Sequence, residues 1–230
     1  MTLLVRNLTV SLALALSDFL GIVISPWLAI VILSGVMDDV DLTAMSNLDG
    51  WIALHWVLAF CCIGWFSVRL RHYFYRKTFW FELKEILRTL TIFAIIEIAV
   101  MAFTTWSFSR FLWVLSWFFV LLLVPVFRML TKRILDAVGF WRRDTWIIGS
   151  GTNAHDAYKA ISSERNLGLI IVGFISSTGK VSGGENIDGI RVLENDIDWL
   201  NTIDKKTQFI VAVESDQGEV RNTWLRNFMI

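Results

Sequence analysis

The segment WRRDTWIIGSGTNA, residues 141–154, joins two parts of this 230-residue chain that differ in character. Residues 1–143 contain four long apolar runs. Residues 144–230 alternate strand-like and helix-like patterns, and they open on the Gly-rich turn Gly149-Ser150-Gly151. The sequence therefore predicts an α-helical membrane bundle of four transmembrane helices followed by a separate α/β domain.

Composition supports this division. Hydrophobic residues make up 55% of the chain, including twelve Trp, and the mean hydropathy is +0.58. Soluble domains are nearer 45–50% apolar, and Trp is enriched where bilayer meets water. Residues 144–230 hold 8 Lys and Arg against 12 Asp and Glu, which argues against a nucleic-acid partner. The two cysteines, Cys61 and Cys62, are adjacent in an apolar run, so neither a disulfide framework nor a metal site is predicted.

Runs of about 20 apolar residues mark the predicted spans. The first loop, residues 34–50, is acidic and lacks Lys and Arg, whereas the loop Arg69–Arg88 is strongly basic. The positive-inside rule then places both termini in the cytoplasm, and a cytoplasmic helix connects the fourth span to the α/β domain. A re-entrant first segment, broken at Ser25-Pro26, is the alternative topology. The predicted spans are Leu8–Leu33, Trp51–Val68, Leu90–Phe108 and Phe111–Phe127.

Three ionisable residues, Asp18, His55 and Glu97, lie inside these spans. Charge at that depth is costly, so we expect them to face the bundle interior. No Lys or Arg is expected at the depth of the two carboxyl groups, which predicts that at least one is protonated at neutral pH. Structural hydrogen bonding and a proton or ion path are the two roles considered.

The loop Arg69–Arg88 mixes aromatic residues with Lys and Arg, a composition typical of the lipid headgroup layer. Two interpretations are open. The loop either contacts headgroups near an active site or forms a belt that sets the depth of the spans.

The α/β domain, residues 144–230, opens with a predicted strand over residues 144–148 and a helix reaching about Glu164, with Gly168 as the helix stop. A second strand, residues 169–174, completes a right-handed βαβ unit and indicates a Rossmann-like domain. The turn matches the Gly-x-Gly-x-x-Ala dinucleotide fingerprint, whose glycines let backbone N–H groups approach a phosphate. If the turn holds a cofactor, the predicted cofactor-binding residues are Gly149, Ser150, Gly151, Thr152 and Ala154.

One element of a nicotinamide site is lacking, because Ser176, Ser177 and Thr178 stand where a ribose-binding Asp or Glu is expected. The turn therefore has three interpretations: a structural turn, a site for a nucleotide or other anion, or a redox-cofactor site. Further on, the pattern predicts a strand over residues 189–193, a helix over 197–202, a strand over 208–213 and a helix from Ser215. These strands are too few for a doubly wound sheet, so the domain is expected to be incomplete.

The chain resembles the N-terminal half of bacterial polyprenyl-phosphate glycosylphosphotransferases. The resemblance covers essentially all 230 residues. The stretches that carry it are Gly64-Trp65-Phe66, Arg69 to Tyr73, Tyr75-Arg76-Lys77, Phe79 to Ile86, Pro125 to Arg128 and Ile148 to Ala154.

The resemblance implies four helices, a Rossmann-like domain and a further catalytic domain with a re-entrant helix. It implies transfer of a sugar 1-phosphate from a UDP-sugar to undecaprenyl phosphate, which starts O-antigen, capsule or exopolysaccharide synthesis. An Asp-Glu pair and Mg²⁺ carry that chemistry, and these 230 residues contain no Asp-Glu dipeptide. No catalytic residue or cofactor is therefore expected in this chain itself.

The resulting expectation is an anchoring and accessory part of a sugar-phosphate transferase, inactive alone, in the bacterial inner membrane. Its expected partners are the lipid bilayer, undecaprenyl phosphate and a second copy of the chain. One alternative is the N-terminal part of a membrane-bound nucleotide-sugar dehydratase, whose second NAD-binding domain, with a Tyr-x-x-x-Lys pair, has no counterpart here. The other alternative is a stand-alone membrane-tethered regulatory module.

Overall fold

The computed structural model describes residues 3–36, 48–104, 109–177, 186–194 and 207–228. It divides into two compact units, Met1–Phe140 and Trp141–Ile230. The division falls three residues before the predicted boundary between residues 143 and 144.

The first unit contains four long helices: α1 (Leu3–Val36), α2 (Leu48–Val68), α3 (Phe79–Phe103) and α4 (Arg110–Ala137). Each is long and apolar enough to cross a membrane, which confirms the prediction of four spans. Helices are expected there because lipid offers no hydrogen-bond partner to an exposed backbone. One apolar cluster unites all four helices through Ala29, Leu33, Trp51, Met101 and Leu112.

The helices α1 and α4 make the most extensive packing in this unit. Gly21 permits their close approach, since a Cβ added there would lie 3.0 Å from Val124 Cγ2. The helix α1 is continuous through Pro26, so the alternative of a re-entrant segment broken at this proline is wrong.

Two helices extend beyond the apolar runs that predicted them. The helix α3 begins at Phe79, not Leu90, and α4 continues past Phe127 to Ala137. The extensions mix charged and apolar residues, and Arg128 and Lys132 of α4 pair with Glu82 of α3. Much of the predicted loop Arg69–Arg88 is therefore helical. The predicted end of the third span, residues 105–108, lies outside the described residues.

The second unit is an α/β domain. Its strands are β1 (Arg143–Ile148), β2 (Leu169–Ile175), β3 (Asn186–Ile187), β4 (Ile190–Leu193) and β5 (Gln208–Val211). They form one sheet in the order β3-β4-β2-β1-β5, in which β1 runs parallel to β2 and β5, β2 runs parallel to β4, and β3 is antiparallel to β4.

The helices of this unit are α5 (Thr152–Ser163) and α6 (Gly218–Phe228). The order β4-β2-β1-β5 is that of half a doubly wound sheet, with the topological switch point between β1 and β5. Trp146, Ile148, Ile175 and Trp224 form one core cluster, and Ile147, Ala154 and Phe174 form another. The Rossmann-like prediction is confirmed, because the strand–helix–strand unit from β1 to β2 is parallel.

Several boundaries differ from those predicted. The helix α5 ends at Ser163, and a 3-10 turn (Arg165–Leu167) precedes Gly168, which has φ +62°. The strand β4 forms a hairpin with β3, whose turn holds Gly189 at φ +79°. The helix α6 begins at Gly218 rather than Ser215. The predicted helix over residues 197–202 lies outside the described residues.

Candidate functional site

A buried ionic cluster closes the end of the four-helix unit at which the α2–α3 loop lies. Its centre is Arg128 of α4, which is 3% exposed. The guanidinium binds Asp18 of α1 through two donors, Nε to Oδ1 at 3.0 Å and Nη2 to Oδ2. Its Nη1 donates to Glu82 of α3 at 3.0 Å, and Lys132 also pairs with Glu82. Bidentate, charge-assisted contacts of this kind are the strong ones in proteins.

The α2–α3 loop enters the same cluster through two adjacent side chains. Tyr73 donates its hydroxyl proton to Asp18 Oδ2 at 2.8 Å. Burial and the neighbouring Asp18 raise the pKa of Tyr73, so this hydroxyl stays a donor. His72 Nδ1 lies 2.8 Å from Arg128 Nη1, and its Nε2 lies 2.7 Å from Glu85.

The hydrogen bonds assign the tautomer of His72. Arg128 has no acceptor atom, so His72 Nδ1 must accept and carries no proton. The proton is then on Nε2, which donates to Glu85. Burial and the charge of Arg128 lower the pKa of His72 to about 4, in agreement with a neutral ring.

We name this set the Arg128 cluster. Lys77 completes it by pairing with Glu85 at 2.5 Å. With His72 neutral, three carboxylates meet three cations, so the charges balance. Each charged group is engaged by a protein partner, which suits holding the loop against the spans better than binding a charged substrate. The members are Asp18, His72, Tyr73, Lys77, Glu82, Glu85, Arg128 and Lys132.

The Arg128 cluster shows that one expectation about Asp18 is wrong. No cation was expected at the depth of Asp18, because the fourth span was ended at Phe127. The helix α4 continues, and Arg128 reaches Asp18. Asp18 therefore needs no proton to lie buried. That at least one of Asp18 and Glu97 is protonated stays a prediction, which now depends on Glu97.

A second buried polar group links all four helices. Pro26 has no N–H, so it cannot donate to the carbonyl of Ile22 one turn earlier in α1. His55 Nε2 lies 3.2 Å from that oxygen and supplies the donor. His55 Nδ1 lies 3.2 Å from Glu97 Oε1, and Trp117 Nε1 donates to Glu97 Oε2. The prediction of a structural hydrogen-bonding role agrees with this geometry.

A Tyr-x-x-x-Lys spacing occurs at Tyr73 and Lys77, so the expectation that the chain lacks such a pair is wrong. It lies in the α2–α3 loop and not in the α/β unit. Tyr73 donates to Asp18, whereas Lys77 binds Glu85. The two side chains therefore do not form the dyad of a dehydratase.

The neutral state of His72 predicts acid sensitivity. In the unfolded chain His72 takes up a proton near pH 6.5, whereas in the folded protein it does so only near pH 4. Unfolding therefore consumes a proton between these values, and stability falls as pH falls through that range, by an amount on the order of 3 kcal/mol. The measurement is the midpoint of thermal unfolding in detergent from pH 7.5 to 4.5.

The matched variant for this measurement is His72→Asn. Asparagine keeps an acceptor for Arg128 but does not titrate. We expect a lower midpoint at pH 7.5 and a flatter dependence on pH than in the wild type. A wild-type midpoint that is unchanged between pH 7.5 and pH 5 would contradict the prediction.

The Gly-rich turn lies at the carboxyl end of β1, next to the end of β5. Gly149 has φ +131°, and a Cβ there would overlap the carbonyl oxygen of Ala212. Gly151 is less constrained, because its φ is −89° and a Cβ there would overlap only the end of the Glu214 side chain. Ala154 is fully buried. Gly149 is thus required by the close approach of the chain after β5, whereas Gly151 leaves room for the carboxylate of Glu214.

The five predicted binding residues are brought together at the start of α5. Ser150 is half-buried, and Gly151 and Thr152 are exposed. The structure places them at the switch point of the sheet, where ligands bind in this architecture. That they bind a cofactor stays a prediction.

The end of β2 is tied to neighbouring elements by its serines. Ser176 is buried, and its N–H donates to Leu193 O at 2.9 Å. Ser177 Oγ donates to Gln217 at 2.9 Å. Thr178 lies outside the described residues.

Two functional arrangements escaped the sequence analysis. Arg128 and Lys132 lie in the predicted connecting helix beyond the fourth span, and neither was paired with Asp18, although an intramembrane carboxylate requires a partner. Glu214 was not singled out. Its place directly after a strand was the available signal, because the carboxyl ends of parallel strands meet at one edge of the sheet.

Taken together, four spans and a Rossmann-like unit define a membrane-anchored α/β protein. The sequence matches the family described as the CoA-binding domain over residues 71–206, which is more than half of the chain. The chain belongs to this family. The match includes the last two spans as well as most of the α/β unit.

The chain is also a homologue of bacterial sugar transferases. It is 42% identical over 224 residues to a UDP-galactose-lipid carrier transferase of Erwinia amylovora, covering 96% of this chain and 46% of that protein. It is 40% identical over 215 residues to an undecaprenyl-phosphate galactose phosphotransferase of Salmonella typhimurium, covering 93% and 44%. An uncharacterized sugar transferase of Haemophilus influenzae is 44% identical over 218 residues, covering 94% and 46%. The chain thus spans less than half the length of the curated relatives it matches.

Proposed function

We propose that this chain is the membrane-anchoring and accessory part of a sugar-1-phosphate transferase. The enzyme would move hexose 1-phosphate, with galactose as the sugar, from a UDP-sugar to undecaprenyl phosphate. The observation that carries the proposal is the similarity of nearly the whole chain to two transferases whose names specify galactose and a lipid carrier. None of the three relatives is named as a dehydratase, so the transferase is favoured over that alternative.

The catalytic step is proposed to belong to the part of the transferase that this chain does not span. Support comes from the Arg128 cluster, whose charged groups are already paired inside the protein. A neutral, buried cluster offers no free base, nucleophile or cation for a phosphoryl transfer. Its role would be to hold the α2–α3 loop and the four helices as one scaffold.

The proposed orientation places the α2–α3 loop and the end of α4 on the cytoplasmic side of the bacterial inner membrane. Exposed cations lie at this end of the unit, among them Arg69, Arg71 and Lys84. Exposed aromatic rings lie beside them, with Trp80 73% exposed. Such a mixture suits the headgroup layer of an anionic leaflet, which would keep an attached active site at the membrane surface. The expected homodimer stays a prediction.

The proposal can be tested by a chimera. The 230 residues replace the aligned segment of the Salmonella relative, and membranes are assayed for transfer of labelled galactose phosphate from UDP-galactose into lipid. We expect the chimera to form the labelled lipid at a rate within about tenfold of the intact relative, because the accessory part is compatible although not identical. The 230-residue chain alone is expected to form none.

Two outcomes would contradict the proposal. One is a chimera that inserts at the normal level and is inactive. The other is a 230-residue chain that makes the lipid product by itself. The control variant is Arg133→Ala in the chimera. It removes an exposed cation of α4 and should change neither membrane insertion nor activity.

A further inference from the structure

The carboxylate of Glu214 lies at the amino terminus of α5, over the Gly-rich turn. Its Oε1 accepts a hydrogen bond from the backbone N–H of Asn153 at 3.1 Å. Asn153 is in the first turn of α5, so this N–H has no partner within the helix. The absence of a side chain at Gly151 makes room for the carboxylate.

In a dinucleotide-binding domain, this position belongs to a phosphate. The first-turn N–H groups and the positive end of the helix dipole favour an anion there. Glu214 already supplies that anion, and it does so from the chain that follows β5, across the switch point of the sheet. A bound pyrophosphate would compete for the same N–H and would face a like charge.

Further contacts hold the segment after β5 against the turn. Asn153 Nδ2 donates to Val213 O at 3.1 Å. Ala212 N donates to Ile148 O at 2.8 Å, and the φ of Gly149 lets the two backbones approach. Hydrogen bonds to the backbones of Ala212 and Val213, the two residues before Glu214, therefore hold Glu214 in position.

The end of β2, where the ribose of a dinucleotide would bind, also lacks the expected binding groups. The described residues after β2, Ser176 and Ser177, carry no carboxylate for a ribose, and Ser177 is engaged with Gln217. The residues present thus do not fit the coenzyme A that the family description implies, nor a dinucleotide.

We propose that the carboxylate of Glu214 occupies the position of the phosphate. It thereby joins the fingerprint turn between β1 and α5 to the segment between β5 and α6. In this member of the family the turn binds Glu214 of the same domain, and it binds neither coenzyme A nor a nucleotide. The proposal concerns the α/β unit only and does not depend on the transferase function.

The test is hydrogen–deuterium exchange of the full chain in detergent, read in peptides that cover residues 149–158. Removing the carboxylate in Glu214→Ala should speed exchange at the first turn of α5 by about fivefold or more, because the acceptor and its charge are lost. Glu214→Gln keeps an acceptor oxygen and should show a smaller increase. The matched control is Glu219→Ala, which removes an exposed carboxylate from the first turn of α6 and should leave these peptides unchanged.

Ligand binding supplies an independent measurement. Isothermal titration with coenzyme A, NAD and ADP, each up to about 1 mM, should detect no binding to the wild type. Saturable wild-type binding of any of these that protects residues 149–158 would overturn the proposal. Unchanged exchange in Glu214→Ala would overturn it as well.

Discussion

Replacing Arg128 with alanine is expected to destabilise the four-helix unit by about 3–5 kcal/mol, the largest effect we predict for a single side chain. The substitution leaves the carboxylate of Asp18, which is fully buried, without its cation. It also removes a donor from Glu82 and the partner of His72 Nδ1. Three elements, α1, α3 and the α2–α3 loop, lose their common contact on α4.

The effect of Arg128→Ala can be measured as the midpoint of thermal unfolding in detergent and as the amount of protein recovered from membranes. Arg128→Lys keeps the charge but cannot make the bidentate contact to Asp18, so an intermediate loss is expected. The control is Arg133→Ala on the exposed side of the same helix. An Arg128→Ala protein as stable as this control would show that the cluster does not hold the unit together.

Replacing Glu97 with alanine is expected to give the second largest loss. Two buried groups, His55 Nδ1 and Trp117 Nε1, lose their partner. Each buried polar group left unpaired costs about 1–3 kcal/mol. The carbonyl of Ile22 also depends on His55 being held in place, because Pro26 offers it no donor.

Glu97→Gln distinguishes the state of the pair. His55 Nε2 must carry a proton to donate to Ile22 O, so a single proton lies between Nδ1 and Glu97. We expect it on the carboxyl group, since a neutral pair avoids burying two charges. The glutamine amide can donate to Nδ1 and accept from Trp117, and it should therefore be tolerated.

The measurement for both Glu97 variants is thermal unfolding in detergent, with the exposed Thr91→Ala of α3 as control. Glu97→Gln should lie close to the control and Glu97→Ala well below it. Equal losses in the two variants would indicate an ionised pair and contradict the expected neutral one.

The spans could be predicted because the bilayer imposes a strong requirement on sequence. A run of about 20 apolar residues has few alternatives to a membrane helix, so the number of spans follows from the number of such runs. The start of α3 could not be predicted in this way, whereas the continuation of α4 beyond Phe127 agrees with the predicted connecting helix. Residues 79–89 and 128–137 mix charged and apolar side chains, and buried ion pairs such as Arg128 with Glu82 join the two extensions.

In the α/β unit, the Gly-rich turn could be predicted from the sequence, but its contact with Glu214 could not. The fingerprint predicted the strand, the turn and the helix that follows, because glycine is required wherever backbones approach closely. It could not reveal what fills the space above Gly151. That occupant, Glu214, is distant in sequence and reaches the turn only through the parallel pairing of β1 with β5.

Local pattern thus sufficed for the two-part architecture, the four helices and the βαβ turn, since hydrophobic periodicity and backbone geometry act over neighbouring residues. The partners of the buried polar groups were settled only by packing. Asp18 finds Arg128, Glu97 finds His55, and the α5 amide finds Glu214, each across a long stretch of chain. An ion pair or hydrogen bond depends on distance in space, and a single sequence without its fold does not contain that distance.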